Sequence, residues 1–262
     1  MRLQRSAKWR MALGVTFICI FLGMLADTAY VSARGQQYSD FTTPTPLGEN
    51  RTLVIGFLGG RDSWNDGRRS VRKLALKLRA AQMPGVHVET VENTKRELAV
   101  RLVRDALDRN RNGKLEQAER SSARLIVYGQ SFGGAAVVKF AKQLEELGVP
   151  ILLTVQIDSV GRGDGVIPAN VRRAANLYQD NGWMIEGEAP IRAADPSRTT
   201  ILGNFKYDYS HNKIDLSQVP FWKKAFRYAH TRMEHDPAVW GQVESLMREE
   251  LRRSAASVQR EM

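Results

Sequence analysis

The chain has 262 residues, of which 43% are hydrophobic and 26% charged, with a formal net charge of +11. That length and balance exclude a disordered or fibrous chain and specify one sizeable globular domain. A single cysteine, Cys19, lies in the N-terminal apolar run, which excludes a disulfide framework, a thiol nucleophile and a cysteine zinc site downstream of it.

Residues 1–33 read as an export segment. Arg2, Arg5, Lys8 and Arg10 precede the uncharged run Met11 to Leu25, and Val31-Ser32-Ala33 offers small residues for cleavage after Ala33. The run is shorter than the roughly 20 residues that cross a bilayer core. A cleaved signal peptide is therefore expected, and an uncleaved membrane anchor is the alternative. Both put the globular part outside the inner membrane, as a periplasmic or secreted protein. Without residues 1–33 the chain keeps 35 Lys/Arg against 27 Asp/Glu, a charge of +8. Those charges are scattered along helix-like segments such as "RRSVRKLALKLRAAQ" rather than clustered with aromatics, so no nucleic-acid partner is expected. Association with an anionic membrane surface stays open, as does the oligomeric state.

Residues 34–51 carry two prolines in a polar stretch without apolar period, a linker or a strapped-down arm. The domain, 52–253, opens with "TLVIGFLGG", an almost continuous apolar run ending in glycines, which predicts a strand buried on both faces. A helix over 68–82, the alternating strand "GVHVETVEN", the helix "TKRELAVRLVRDALD" and the strand "ARLIVYG" follow. Next come the helix "GGAAVVKFAKQLEELG", the strand "PILLTVQID" and the weaker strands "VRRAANLYQ" and "TTILGNF". A helix is expected over Pro237 to Arg253 and a polar tail over 254–262. This alternation predicts an α/β fold with a mostly parallel central sheet flanked by helices, whose chemistry sits beyond the carboxyl ends of the strands.

The stretch "LIVYGQSFGGAA" joins a strand to a helix through Gly129-Gln130-Ser131-Phe132-Gly133. A serine hydroxyl is a weak nucleophile and needs a base, an acid that orients the base, and donors for the oxyanion. A serine on a strained strand-to-helix turn needs glycine-sized neighbours two residues before and after, which Gly129 and Gly133 supply. Here the sequence resembles the α/β-hydrolase superfamily, especially its lipase, esterase and thioesterase members, over roughly Thr52 to Leu251. Many relatives carry histidine where this chain has Gln130. The resemblance implies a serine hydrolase with Ser131 as nucleophile, and oxyanion donors at the Phe132 amide and at the loop after the first strand, near Leu58 or Gly60.

Asp158, at the end of "VQID", is the expected acid, with Asp180 as its rival. His230, in "YAHTRMEHDPAVW", is the expected base in the Ser, Asp, His order of the superfamily, with His211 as its rival. His87 lies mid-strand, and His235 is five residues from His230, which does not suit a helical zinc pair. Nine of the 21 aromatics fall between Tyr178 and Tyr228, among them Trp183, Phe205, Tyr207, Tyr209, Phe221 and Trp222, where they either line an acyl pocket or pack the core.

"DRNRNGKLEQAE", residues 108–119, matches a calcium-loop pattern at Asp108, Asn110, Asn112, Gly113, Leu115 and Glu119, with a carbonyl at Lys114. There is no partner loop, and Arg109, Arg111 and Lys114 dilute the negative charge. The loop is expected either to take a structural calcium ion weakly or to be an Asx-rich turn. No cofactor is expected to be needed for catalysis. A small-molecule or lipid ester is the expected substrate; the alternatives are an amidase or peptidase of the same fold, or a non-catalytic binding protein.

Overall fold

The computed structural model of the chain describes residues 34–181, 187, 190–211, 214–217, 219 and 228–261; the export segment lies outside them. The elements in chain order are β1 (Thr52–Leu58), α1 (Ser70–Ala80), β2 (Val86–Glu92), α2 (Arg96–Leu107), α3 (Gln117–Ser121), β3 (Leu125–Gln130) and α4 (Phe132–Glu146). They continue with β4 (Ile151–Ile157), β5 (Val166–Ile167), β6 (Val171–Tyr178), β7 (Arg192–Ala193), β8 (Thr200–Lys206), α5 (Tyr228–His235) and α6 (Pro237–Glu261).

Six strands form one sheet in the order β2-β1-β3-β4-β6-β8, and every neighbouring pair is parallel. This is the α/β architecture expected from the alternating strand and helix pattern. Every residue of β1, β3 and β4 is buried, because helices cover both faces and leave no solvent side for polar alternation. The period of two divides the apolar residues between two cores. Leu53, Ile55, Phe57, Leu125 and Val127 face Leu102 and Val103 of α2 and Val137 and Phe140 of α4. Val54, Ile126, Tyr128 and Val155 face Leu74 and Leu78 of α1 and Val243 and Met247 of α6. Each such side chain contributes on the order of 2 kcal/mol on burial.

Residues 34–51 form an arm packed on the domain rather than a free linker. Gln36, Thr43 and Leu47 are buried. Gln36 Nε2 donates to the Thr90 carbonyl (2.8 Å), and the amides and hydroxyls of Thr42 and Thr43 all donate to Glu89 Oε1 at 2.8–3.0 Å. The other Glu89 oxygen pairs with Arg79 at 2.7 Å. The arm thereby contacts β2, an edge of the sheet, where unpaired backbone would otherwise invite strand addition.

Two features depart from the sequence expectation. The polar tail is not a tail through 261: α6 runs to Glu261. Its Ser254 is buried and its carbonyl accepts from Arg124 Nη1 at 2.9 Å, so the apolar stripe ends before the helix does. In addition, β5 and β7 form a separate two-stranded parallel sheet, too short to leave a periodic pattern. Among the described residues no helix is long and apolar enough to cross a membrane.

Candidate active site

Strand β3 passes into α4 through one residue, Ser131, which takes φ 57° and ψ −127°. That left-handed φ is costly for a residue with a Cβ, and the sequence meets its steric demands with glycine. A Cβ on Gly129 would lie 2.4 Å from the Gly133 carbonyl oxygen, and one on Gly133 would lie 2.1 Å from the Phe57 carbonyl oxygen. Side chains at those two positions would force β3, α4 and β1 apart. The elbow is held by its own backbone: the Ser131 amide donates to the Ile157 carbonyl (3.0 Å), and the Ser131 carbonyl accepts from Gly134 (2.9 Å) and Val160 (3.1 Å).

Register brings Asp158, the expected acid, beside this turn. Gln130 of β3 pairs with Ile157 of β4, so Ser131 and Asp158 leave adjacent strands at the same carboxyl edge. Asp158 is fully buried and has φ 44°. Its Oδ2 lies 2.6 Å from Nδ1 of His230, which projects from α5 and is itself buried. Gln179 Nε2 reaches both carboxylate oxygens at 3.3 Å. The backbone of Gly187 lies directly on the carboxylate, since a Cβ there would be 2.1 Å from Asp158 Oδ1.

The rivals lie elsewhere. Asp180 is exposed and pairs with Lys206 at 2.6 Å. His211 is exposed and close enough to Asp208 to help hold that carboxyl below the usual range, after the hydrogen bonds from Ser210. His87 is half-buried, and burial, then Arg51, lowers its pKa.

Behind the acid runs a polar chain that the sequence reading missed. The Asn181 amide donates to Gln179 Oε1 (3.0 Å), the Tyr209 amide to Asn181 Oδ1 (3.0 Å), and the Tyr209 hydroxyl to Asp236 Oδ2 (2.7 Å). Burial, reinforced by Asp236, drives the Tyr209 hydroxyl pKa strongly upward, so it acts as a donor at any ordinary pH. Gln179 directly follows β6, and nothing in its local sequence marks it as a partner of Asp158.

Around the expected oxyanion donors, Phe132 occupies the first position of α4, where backbone N–H groups lack intrahelical acceptors, and its side chain is 51% exposed. Leu58 ends β1 and is buried; Gly60 has φ 51°, and a Cβ there would meet no described atom within 4 Å. The residue between them, Gly59, touches the elbow: a Cβ there would lie 3.1 Å from Ser131 Cβ. Asn93 Nδ2 pins this loop by donating to the Leu58 carbonyl (3.0 Å) and the Gly60 carbonyl (2.6 Å). Of the clustered aromatics, Tyr209 is buried and Phe205 and Tyr207 pack against the same core, so these three serve packing. Trp183, Phe221 and Trp222 lie outside the described residues.

The 108–119 loop runs from the end of α2 into the short helix α3, ahead of β3. Asp108 Oδ1 and Asn110 Oδ1 both accept from the Asn112 amide at 3.0 Å, and Asn112 Oδ1 accepts from the Lys114 amide at 2.8 Å. Glu119 Oε1 accepts from the Arg109 amide (2.8 Å) and Oε2 from the Glu116 amide (3.0 Å). The Glu116 amide, followed by those of Asn110 and Arg109, holds the Glu119 carboxyl below its usual range against the opposing effect of burial. Among the described residues no three His, Cys, Asp or Glu side chains gather as a metal cluster. The oxygens of Asp108, Asn110, Asn112 and Glu119 accept from amides of the loop itself; they are of the hard-oxygen type that calcium takes.

No protein-family profile matches the chain, and no curated protein sequence matches it. Among solved structures the chain is similar to a cutinase-like protein from Cryptococcus sp., at 12% identity over 79% of this chain and 98% of that one, with a TM-score of 0.43. It is also similar to a dienelactone hydrolase-like promiscuous phosphotriesterase from metagenomic libraries, at 14% identity over 78% and 85% of the two chains, TM-score 0.38. A third is an α/β serine hydrolase without a lid from Xanthomonas campestris, at 16% identity over 64% and 76%, TM-score 0.31.

Proposed function

We propose that the chain is an exported serine hydrolase that cleaves carboxylic ester or thioester bonds through an acyl-enzyme. The observation that carries this reading is the buried pair of Asp158 and His230, 2.6 Å apart, at the same sheet edge as the strained turn of Ser131. In this reading Asp158 accepts a hydrogen bond from Nδ1–H of His230 and so presents Nε2 as a base. Nε2 takes the Ser131 hydroxyl proton as Oγ adds to the substrate carbonyl. The tetrahedral oxyanion is held by the Phe132 amide and an amide of the Leu58 to Gly60 loop. The imidazolium then returns the proton to the departing alkoxide or thiolate, and water, activated by the same histidine, releases the acid from Ser131.

The substrate this calls for is a small-molecule or lipid ester. A panel of p-nitrophenyl esters of graded acyl length tests the reading: turnover by the wild type, abolished in S131A, is expected. Hydrolysis of anilides but not esters would move the chain to the amidases, and a folded, ligand-binding but inactive wild type would make it a binding protein.

For the 108–119 loop we propose uptake of a structural calcium ion, with Asp108, Asn110, Asn112 and Glu119 supplying side-chain oxygens and Lys114 a carbonyl. The ion would stiffen the entry to β3 and take no part in the reaction. Calorimetry on chelator-treated protein is expected to show binding in the millimolar range that E119Q removes; no heat at millimolar calcium would leave the loop closed by its hydrogen bonds alone.

A further inference from the structure

We infer that Ser159 and Asp164 form a positioning pair for the catalytic centre, an inference that rests on the serine-hydrolase reading above. Both side chains are 1% exposed, and the Ser159 hydroxyl makes a short hydrogen bond to Asp164 Oδ2. Among the described residues the other carboxylate oxygen, Oδ1, is buried without a hydrogen-bond partner and Asp164 makes no ion pair. A buried carboxyl group with a single hydroxyl partner among the described residues is costly to desolvate. Stability alone gives no reason for it, whereas an apolar pair would cost less.

What the pair holds is the backbone that carries the site. Ser159 follows Asp158 directly, and Asp158 stands at φ 44°, a left-handed backbone that is less favourable than the right-handed one even for aspartate. The next amide, Val160, donates to the Ser131 carbonyl at 3.1 Å, and the Ile157 carbonyl accepts from the Ser131 amide at 3.0 Å. Residues 157–160 therefore clasp the elbow at both its amide and its carbonyl while presenting the acid.

The far end of the loop is fixed independently. Gln156 Nε2 donates to the Asp164 carbonyl at 3.1 Å, and Lys142 Nζ to the Gly163 carbonyl at 3.3 Å. Close packing locks the near end: a Cβ on Gly134 would lie 2.7 Å from Ser159 Cβ, and one on Gly161 would lie 2.3 Å from Ala135 Cβ. The Ser159 to Asp164 bond thus ties the residue after the acid to an anchored point. Without it, Asp158 keeps its contact with β6 but loses its fixed aim toward His230.

The test compares S159A, D164A and D164N with the wild type in p-nitrophenyl butyrate turnover, in the rate of fluorophosphonate labelling and in thermal midpoint. S159A and D164A are expected to lower kcat by about ten-fold or more, and the labelling rate in proportion, because small misplacements are costly to near-attack geometry. KM is expected to stay within about two-fold, since substrate binding is untouched. D164N, whose amide oxygen still accepts the Ser159 hydroxyl, is expected to recover most of the rate. Unchanged kcat in S159A, or a D164N as impaired as D164A, would overturn the inference. Should D164A not fold, S159A decides alone. A wild type that neither labels nor turns over would overturn the hydrolase reading and this inference together; an active wild type with an equally active S159A overturns only the latter.

Discussion

Nδ1 of His230 lies 2.6 Å from Oδ2 of Asp158 across 72 residues of sequence, and both side chains are buried. An ionised carboxylate can only accept, so the proposed mechanism places the proton on Nδ1 and leaves Nε2 as the base. D158N offers an amide of the same shape that favours the other tautomer. A kcat loss of roughly 10³- to 10⁴-fold is expected, with little change in thermal midpoint. Retained turnover in steady-state kinetics would remove Asp158 from the site.

The elbow makes a separate steric demand. A Cβ on Gly133 meets the Phe57 carbonyl at 2.1 Å, whereas a Cβ on Gly60, at φ 51°, would meet no described atom within 4 Å. G133A is expected to destabilise by about 3 kcal/mol or more through overpacking and to abolish turnover. G60A carries only the left-handed backbone cost of roughly 1–2 kcal/mol. Denaturant titration of the two variants checks the order, which the account requires to be G133A below G60A.

The N-terminal arm depends on one buried carboxylate. Glu89 takes four hydrogen bonds from Thr42 and Thr43 and an ion pair from Arg79. E89A leaves those donors unsatisfied, with an expected cost of about 3 kcal/mol. Amide exchange over residues 34–47 is expected to speed up more than in the β3 and β4 core; unchanged protection there would show that the arm is held by Leu47 and Gln36 instead.

His87 sets a pH dependence of stability. Burial, followed by Arg51, depresses its folded pKa below 6.5. As pH falls through 6.5 the unfolded chain binds a proton that the folded chain does not, so stability is lost on the acid side and regained above it. H87Q is expected to flatten the part of the thermal-midpoint profile that lies between pH 6.5 and the lowered folded value. A variant profile parallel to the wild type would assign that slope to other groups.

The parts of the fold that could be read in the sequence are those where one physical demand dominates locally. Continuous apolar runs announced β1, β3 and β4, and Gly129 and Gly133 announced the turn at Ser131. The pairing of Asp158 with His230 over Asp180 and His211 could be ordered only by chain position, because it is settled by sheet register and by the way α5 returns. Gln179, Asn181 and Tyr209 were illegible for the same reason: an amide that supports a carboxylate has no local pattern. Gly59 has no mark in the sequence that sets it apart from Leu58 and Gly60, since its contact with Ser131 across β1 and β3 exists only after the strands pair. The extension of α6 past Arg253 was hidden because Ser254 is buried against Thr52 and Arg124, a polar contact that hydrophobic periodicity does not register.

The most direct measurement of the central claim is covalent labelling of the full chain with a fluorophosphonate, followed by mass spectrometry of the peptide containing Ser131. One adduct on Ser131 in the wild type is expected, absent in S131A and strongly slowed in H230A, with all three proteins folded. A folded wild type that takes up no label at Ser131 would contradict the assignment of Ser131 as the nucleophile.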